Sequence, residues 1–367
     1  MIRKVLFITR FMNGGGAERV ISVLSTEIVR QGYEVGILVY NRTEKDYAIA
    51  SGVKVFMMGE GYSETKGNSV TRKIYRRKRM RQVVHEYNPD VIIPFLKPIV
   101  METYQFVSTL GIPILATVRN LPRFSGKMDR IMYMYVVSHC KAVFLQTVEQ
   151  QQNFNEKIKS KSFVVANPVS KVFLEKGETR NYESVQKIPR VIVSAGRLDK
   201  QKNQRLLIEA MALIHKKHDD WILNLFGEGK ERRNLQTCIR DNKAENYIFL
   251  RGKTNHLPEE FAKANIFVLS SDFEGMPNVL LEAMASGLPC VSTDCPTGPR
   301  SLIGNNMYGR LTPVGDVDLL AANITYFIEN PKEAICCGEK AYHYIRENYS
   351  PQKITTKLLE NINRFID

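Results

Sequence analysis

The sequence predicts an α/β protein built from two doubly wound, Rossmann-like domains, and three observations support this fold class. Short apolar, β-branched runs alternate with stretches of helical periodicity along the whole chain. A glycine-bearing turn follows the first predicted strand of each half, as in βαβ units. The length of 367 residues exceeds what one core normally holds and fits two domains of about 150–200 residues.

The first half repeats a strand–helix alternation. Strands are predicted at residues 4–9, 34–40, 53–58, 90–95, 112–118, 141–146 and 162–165, and helices at residues 17–31, 71–87, 100–110 and 149–157. The first turn contains Gly14, Gly15 and Gly16 but lacks the GxGxxG spacing, which disfavours a dehydrogenase-type dinucleotide site. These glycines either form a tight turn or let the backbone approach a ligand, and the residues alone leave both interpretations open.

Two polar residues, Arg119 and Asn120, follow the predicted strand at residues 112–118. The carboxyl ends of parallel strands form the edge at which α/β sheets bind ligands. A surface loop is the alternative interpretation. We favour a ligand site, with Arg119 and Asn120 as candidate contacts.

The second half continues the alternation beyond an aperiodic, charged segment. Strands are predicted at residues 190–195, 221–226, 248–250, 266–269, 289–293 and 309–311, and helices at residues 204–216, 257–263, 278–286, 319–330 and 331–347, with a further helix ending near residue 242. Residues 171–188 are predicted to link a first domain, 1–170, to a second, 189–349. Residues 350–367 form an amphipathic C-terminal helix.

Two cations, Arg197 and Lys202, lie in the turn between the predicted strand 190–195 and the helix that follows it. Helix amides and cations together can clamp a diphosphate. Each residue alone is more often a surface charge. The occurrence of both in one strand-to-helix turn favours a functional role.

The most informative stretch is residues 269–300, LSSDFEGMPNVLLEAMASGLPCVSTDCPTGPR. It predicts a strand end, a loop containing Glu274, a helix with Glu282 in its second turn, and another strand. Both carboxylates therefore lie near the carboxyl end of a parallel strand, beside a helix N-terminus that favours anions. This arrangement suits a ligand that carries both phosphate and hydroxyl groups.

The net charge of +14 is unevenly distributed. Residues 1–185 hold 28 Lys and Arg against 16 Asp and Glu, whereas the remainder holds 24 against 22. A basic half attracts nucleic acid, anionic lipid or a phosphorylated substrate, and charge alone does not choose among them. The cations concentrate in the predicted helix 71–87, at Arg72, Lys73, Arg76, Arg77, Lys78, Arg79 and Arg81. This helix start is either simply solvated or contacts anionic headgroups or a pyrophosphate-bearing acceptor.

Composition excludes several classes of protein. No run approaches the ~18 apolar residues that a membrane-spanning helix needs. The six cysteines lack metal-ligand spacing, and we interpret them as reduced thiols in a cytosolic protein. No nucleic-acid-binding motif accompanies the basic charge.

Taken together, the motifs resemble those of retaining glycosyltransferases of family 4, which have the GT-B fold. The resemblance covers nearly the whole chain in motif order. Its motifs are Gly14-Gly15-Gly16-Ala17-Glu18, Gly196-Arg197-Leu198 with Lys202-Asn203, Gly252, Glu274-x7-Glu282, and Asp294-Cys295-Pro296-x-Gly298-Pro299-Arg300. The carboxylate pair embedded in FEGMPNVLLEAMASGLP is the most specific of them.

The resemblance implies two Rossmann-like domains facing across a cleft, with the nucleotide sugar held mainly by the second. Arg197 and Lys202 would bind the diphosphate and stabilise the leaving group, with Glu274 as the third catalytic candidate, facing the donor sugar. Glu282 would bind the ribose hydroxyls. Further donor contacts would come from Gly275, Met276, Asn278, Gly15 and Gly16. The final helix would return to the first domain.

The expected activity is transfer of a hexose or N-acetylhexosamine from a nucleotide sugar, UDP-linked, to a growing lipid-linked glycan of a bacterial surface polysaccharide or glycoconjugate. Neither a metal nor a cofactor is expected. We expect a cytoplasmic protein that also acts at the inner face of the cell membrane, with no nucleic-acid partner. The alternatives are a UDP-N-acetylhexosamine epimerase of the same fold and a non-enzymatic nucleic-acid-binding protein.

Two positions depart from the pattern of the family. Many members have His or Glu in the loop where this chain has Arg119-Asn120. The final motif is often followed by Glu, whereas this chain has Ser301. The acceptor-side contact at the first position and the usual Glu contact at the second are therefore not transferred.

Overall fold

The computed structural model describes residues 2–13, 15–43, 46–59, 69–119, 124–181 and 190–366. The chain divides into two compact units. The first consists of Met1–Pro168 together with Pro351–Asp367, and the second of Val169–Ser350.

The first unit contains one parallel strand system with helices around it. Its elements up to residue 164 are β1 (Lys4–Thr9), α1 (Gly16–Arg30), β2 (Glu34–Val39), β3 (Val53–Met57), α2 (Ser69–Tyr87), β4 (Val91–Pro94), α3 (Lys97–Val107), β5 (Leu115–Val118), α4 (Lys127–His139), β6 (Ala142–Leu145), α5 (Val148–Gln152), α6 (Glu156–Lys159) and β7 (Ser162–Val164). The strand orders are β3-β2-β1-β4 and β5-β6-β7, and a parallel bridge between Ile92 and Ile114 connects the two groups. Apolar strand residues are buried because helices cover them.

The second unit has a six-stranded parallel sheet in the order β10-β9-β8-β11-β12-β13. Its elements are α7 (Lys171–Glu178), β8 (Arg190–Ala195), α8 (Gln204–His215), β9 (Trp221–Phe226), α9 (Arg232–Asp241), β10 (Ile248–Gly252), α10 (Leu257–Lys263), β11 (Ile266–Leu269), α11 (Asn278–Ala285), β12 (Cys290–Thr293), α12 (Pro299–Ile303), β13 (Arg310–Thr312), α13 (Val317–Glu329) and α14 (Pro331–Tyr349). The predicted α/β class, with parallel sheets in two Rossmann-like domains, is confirmed.

Both sheets reverse their strand order at one place. β1 lies between β2 and β4, and β8 lies between β9 and β11. The loops that follow β8 and β11 therefore leave adjacent strands in opposite directions and open a crevice at the carboxyl edge. This reversal determines where each unit can bind a ligand.

The last helix, α15 (Pro351–Ile366), belongs to the first unit. Its buried residues recur at helical spacing: Ile354, Thr355, Leu358, Leu359 and Ile362. The helix packs on α1, where the Gln31 side chain donates to the Gln352 carbonyl at 3.4 Å. Asn363 Oδ1 accepts a hydrogen bond from the Ile2 amide at 3.0 Å, which ties the helix to the start of the chain.

Three local predictions were wrong. Much of the predicted linker is helix α7, because Phe173 is buried and its ring centroid lies 5.9 Å from that of Phe261; residues 182–188 of that linker lie outside the described part. The helix predicted at residues 149–157 is two helices, since Asn155 accepts the amide of Ile158 and starts α6. Helix α4 was not predicted, because its apolar residues occur on both faces and obscure the period.

Across the described ranges, no helix is both long and apolar enough to span a membrane.

Candidate active site

Two loops of the second unit meet at the point where its strand order reverses. One follows β8 and the other follows β11, and hydrogen bonds join them. The Asp272 amide donates to the Gln201 carbonyl at 2.9 Å, and Ser270 Oγ donates to the Lys202 carbonyl at 2.9 Å. Asn203 Nδ2 donates to Asp272 Oδ1 at 2.8 Å. The two loops therefore form one polar surface.

An ion pair between Lys202 and Glu274 lies within this polar surface. Lys202 Nζ is 2.5 Å from Glu274 Oε1, and the two side chains are only 14% and 7% exposed. Ser271 Oγ donates to the same oxygen at 2.7 Å, while Gln201 Nε2 lies 3.5 Å from Oε2. The structure thus brings together two residues that the sequence singled out in separate motifs. Because both are largely removed from water, their attraction is stronger than that of a surface pair.

The Asp294–Arg300 motif, which follows β12, holds the backbone at Glu274 and Gly275. The Thr297 hydroxyl donates to the Glu274 carbonyl oxygen. Gly298 has φ +92°, and a Cβ there would lie 2.5 Å from the Gly275 carbonyl oxygen. This close approach requires glycine.

The same motif contains a cysteine. Burial, with a smaller contribution from Glu274, raises the pKa of Cys295 to about 12.

Arg197 belongs to the same turn but lies apart from this ion pair. Its guanidinium is 69% exposed and 3.3 Å from Asp199 Oδ2, and its NH2 donates to Gln201 Oε1 at 3.5 Å. Asp199 also accepts the Lys202 amide at 3.2 Å and so shapes the turn. The structure places Arg197 on the site's solvent side, available to a ligand that arrives there.

The predicted donor contacts of the β11–α11 loop occupy the start of α11. The helix begins at Asn278, as predicted, and Pro277 is its N-cap. Met276 is buried, and Glu282 lies in the second turn with 2% exposure. The free amides of this turn and a buried carboxylate therefore lie on the element that follows Glu274.

In the first unit, Gly15 and Gly16 lie at the start of α1. Gly15 is the N-cap in an extended conformation, and Gly16 is the first helical residue. A Cβ on Gly15 would collide with the carboxylate of Glu18, which is itself 8% exposed. A side chain at position 15 would therefore displace the Glu18 carboxylate. Gly14 lies outside the described residues.

Arg119 lies at the carboxyl end of β5 and is buried, with 7% exposure. Its guanidinium lies 4.8 Å from the ring centroid of Phe95 and 5.6 Å from that of Phe144. Its NH2 donates to Asn167 Oδ1, and the amide of Gln146 lies within hydrogen-bond distance of both. Burial lowers the pKa of Arg119 to about 9.

Asn120, the other predicted contact there, lies outside the described part of the chain.

Several polar residues of the two sites were not identified from the sequence. Gln201, Ser271 and Thr297 contact Glu274, and Gln146 and Asn167 contact Arg119. Each directly follows a predicted strand or lies in a recognised loop, so the carboxyl-edge rule that selected Arg119 could have found them.

The carboxylates that have an Asp-x-Asp spacing lie at the start of a helix. The sequence has one Asp-x-Asp spacing, Asp316 and Asp318. Asp316 Oδ1 accepts the Leu319 amide at 2.9 Å and caps α13. In the part of the chain that the structure describes, no three His, Cys, Asp or Glu side chains are grouped as a metal site.

Comparison with known proteins finds a similarity within the second unit. Residues 175–344 match the family model described as Glycosyl transferases group 1. The matched stretch makes up most of the second unit. The polar surface formed by the β8 and β11 loops lies within this stretch.

Relatives match over nearly the whole chain. An uncharacterized glycosyltransferase of Haemophilus influenzae is 25% identical over 353 residues, covering 95% of this chain and 96% of its own. The GalNAc-α-(1→4)-GalNAc-α-(1→3)-diNAcBac-PP-undecaprenol α-1,4-N-acetyl-D-galactosaminyltransferase of Campylobacter jejuni is 22% identical over 323 residues, 88% of each chain. These likenesses relate the chain to glycosyltransferases of bacterial glycan biosynthesis.

A solved structure agrees in fold. HepE from Anabaena, in complex with UDP and glucose, superimposes with a TM-score of 0.81 at 18% identity, covering 99% of this chain and all of that one. The predicted GT-B fold is thereby confirmed.

Proposed function

We propose that this glycosyltransferase is a retaining enzyme that moves a hexose or N-acetylhexosamine from a UDP-sugar to a growing, lipid-linked glycan. The observation that carries the proposal is the buried ion pair of Lys202 and Glu274, at the place where the second sheet reverses its strand order. This pair offers a cation and a carboxylate within one hydrogen bond of each other. Cleavage of a glycosyl–phosphate bond develops positive charge on the sugar and negative charge on the adjacent phosphate, so a neighbouring carboxylate and cation can stabilise both.

The two residues have complementary roles. As the bond from the anomeric carbon to the phosphate oxygen breaks, negative charge grows on the diphosphate and positive charge on the sugar. Lys202 stabilises the diphosphate, and Arg197 adds a second cation from the solvent side. Glu274 stabilises the sugar and orients its hydroxyls.

Lys202 can serve both partners at once. An ammonium has three donors, and the described hydrogen bonds of Nζ use one, toward Glu274. Two donors remain for diphosphate oxygens. The ion pair therefore needs no rearrangement to accept a nucleotide sugar, which limits the reorganisation cost of binding.

A front-face reaction accounts for retention of configuration. The bond from the acceptor oxygen to the anomeric carbon forms on the side from which the diphosphate leaves. The acceptor proton passes to the departing phosphate oxygen, so UDP is the leaving group and no separate base is needed. Glu274 is then an electrostatic group and not a nucleophile.

Nucleotide recognition is assigned to α11 and the glycine turn of α1. Amides at Gly275, Met276 and Asn278 suit sugar and phosphate oxygens, and Glu282 suits the ribose hydroxyls. Gly15 and Gly16 would approach the diphosphate with their backbone. UDP is chosen because HepE, of the same fold, was solved with it.

The acceptor is assigned to the first unit, with Arg119 as its candidate contact and Asn120 as a second from outside the described residues. A lipid-linked acceptor is supported by the name of the Campylobacter relative, which contains PP-undecaprenol. The basic first half suits a diphosphate-bearing lipid. No nucleic-acid partner is proposed.

The first experiment is a panel of UDP- and GDP-sugars, tested for thermal stabilisation and for release of nucleotide. A UDP-sugar should stabilise the wild-type protein, and Glu274→Ala should lose nucleotide release while remaining folded. Unimpaired release by Glu274→Ala would overturn the assignment. Incubation with donor alone tests the epimerase alternative, because an epimerase would yield an isomeric UDP-sugar.

Metal independence is tested separately. Because Lys202 and Arg197 supply the positive charge at the diphosphate, we expect dialysis against EDTA to leave transfer unchanged. Loss of transfer that Mg²⁺ or Mn²⁺ restores would contradict this part of the proposal.

A further inference from the structure

Helix α4 has an apolar surface on the side away from the core. Its inward residues Tyr133, Val136 and Val137 are buried. Four large apolar or aromatic residues occupy the opposite side, spaced as one helical stripe, and we call them the α4 outer face: Met128, Ile131, Met132 and Tyr135, with exposures of 68, 62, 53 and 56%. Exposed apolar residues that cluster in this way mark an interaction surface.

The rest of the surface lacks such a cluster. Among the residues that the structure describes, thirteen large hydrophobic side chains are exposed, and seven of them lie on α2 and α4. The other six are scattered over six further places in the chain: Val148, Val172, Leu213, Met307, Val314 and Leu319. Single exposed residues of that kind are ordinary.

The exposed charged side chains of α4 are positive. Lys127 is exposed at the start of the helix, next to Met128, and Arg130 is exposed on the side of the helix away from the stripe. The one acidic residue of the helix, Asp129, accepts a hydrogen bond from Lys97 Nζ at 2.7 Å, and this bond lowers the pKa of Asp129. A surface with cations and no unneutralised carboxylate suits an anionic partner.

The basic residues of α2, for which solvation and contact with an anionic headgroup or acceptor were the alternatives, have different surroundings. Three of them hold the fold: Arg76 with Glu102 at 2.8 Å, Arg79 with the Met57 carbonyl at 3.1 Å, and Arg81 with the Phe106 carbonyl at 3.1 Å. Arg72 is half-buried. Lys73, Arg77 and Lys78 are exposed, and Ile74 lies among them with 63% exposure.

Both helices pack on α3. Arg76 of α2 pairs with Glu102 of α3, and Lys97 of α3 pairs with Asp129 of α4. The α4 outer face and the exposed cations of α2 therefore belong to one helical layer of the first unit, with α3 between them.

We propose that this layer docks the protein on an anionic lipid bilayer. The α4 outer face enters the boundary between headgroups and acyl chains, and Lys73, Arg77, Lys78 and Lys127 bind lipid phosphates. Met, Ile and Tyr interleaved with Lys and Arg, on a helix that does not span, are typical of an interfacial helix. The exposed cations of α2 and the start of α4 favour an anionic bilayer over a neutral apolar partner. The inference rests on the proposed function in one respect: docking would bring the enzyme to its lipid-linked acceptor.

Vesicle co-sedimentation of the full chain tests the proposal. Phosphatidylcholine vesicles with and without phosphatidylglycerol are compared for wild type and for Met128→Ser/Ile131→Ser/Met132→Ser. These side chains are exposed, so the variant should fold. We expect wild type to prefer the anionic vesicles and the variant to lose binding by about tenfold or more.

A second variant and two matched controls complete the test. Lys73→Glu/Arg77→Glu/Lys78→Glu should lose binding, and sodium chloride should weaken wild-type binding. Controls on exposed positions of the second unit, Leu213→Ser/Val314→Ser and Lys216→Glu/Lys217→Glu/Lys230→Glu, should bind like wild type. Equal binding of the α4 variant and wild type, or no wild-type binding, overturns the proposal.

Two measurements distinguish membrane docking from the proposed function and from contact between two copies of the chain. UDP affinity should be the same in wild type and the α4 variant, so failed vesicle binding with normal UDP affinity overturns membrane docking and leaves the proposed function intact. Light scattering reports the oligomeric state without lipid. A wild-type dimer that the α4 variant converts to a monomer would instead make this face a contact between two copies.

Discussion

The carboxyl edges of the two sheets carry different chemistry. In the second unit, Lys202 and Glu274 form a contacting ion pair within two polar loops. In the first unit, Arg119 is a buried cation between two aromatic rings, hydrogen-bonded to neutral amides. Both lie at the carboxyl ends of parallel strands, but only the pair in the second unit lies where the strand order reverses. The fold therefore determines where a site can form, while the residues that follow each strand determine its charge and hence its ligand.

The largest expected effect is at Lys202. Lys202→Ala should lower transfer by about 10²–10³-fold, because it removes a preorganised donor from the leaving group. It should also lower the free energy of unfolding by about 3 kcal/mol, because Glu274 stays buried without its partner. Steady-state kinetics and urea denaturation measure the two effects. Lys200→Ala, an exposed neighbour in the same turn, is the control and should change neither.

Arg119→Met should change the free energy of unfolding less than Lys202→Ala does. Replacing a buried cation by an apolar side chain of similar length removes a desolvation cost, so the unfolding free energy should stay within about 2 kcal/mol of wild type. Transfer to acceptor should fall about tenfold through loss of a charged hydrogen bond, with UDP affinity unchanged. Exposed Arg30→Met is the control. A destabilisation as large as that of Lys202→Ala would remove the contrast between the two edges.

A smaller effect is expected at Ser271, which we assign as a positioning residue for Glu274. Ser271→Ala should lower kcat about tenfold with little change in the donor KM, because Oε1 loses one of its two hydrogen bonds. Ser271→Thr retains the hydroxyl and should restore most of the activity. A rise in KM alone would argue against positioning. Ser51→Ala, on the exposed surface of the first unit, is the matched control.

The smallest effect concerns the reactivity of buried cysteine thiols, which should be equally low in the two units. Burial raises the pKa of Cys140 in the first unit and of Cys295 in the second to about 12 in each case. At pH 8 their thiolate fraction is then about 10⁻⁴, so a disulfide reagent should react with exposed Cys336 first and with these two only after unfolding. Glu274→Gln should leave Cys295 protected, because burial is the larger cause of its shift.

The sequence predicted most of the second unit because its elements are regular. β8, β9 and β11 lie at their predicted bounds, since each is a buried apolar run with a polar or glycine-containing stretch on both sides. Glu274 and Lys202 were both selected from local motifs. Their direct contact was not predicted, because it depends on β8 and β11 being neighbours in the sheet.

The first unit was less predictable for the same physical reason. Helix α4 is apolar on two faces, so its periodicity does not separate the buried side from the exposed one. The seven basic residues of α2 look equivalent in sequence, yet Arg76, Arg79 and Arg81 pair within the fold. Only tertiary contacts distinguish a cation that holds a helix from one that is available to a partner.

The two ends of the second unit meet, and this has a consequence for folding during synthesis. The Val169 amide donates to the Tyr349 carbonyl at 2.9 Å, so this unit begins and ends at one point as an insertion within the first. Residues 169–350 leave the ribosome before α15 does, and they can fold as soon as they emerge. The first unit cannot cover α1 until α15 has been translated. The second unit can therefore be complete while the first still lacks one of its helices.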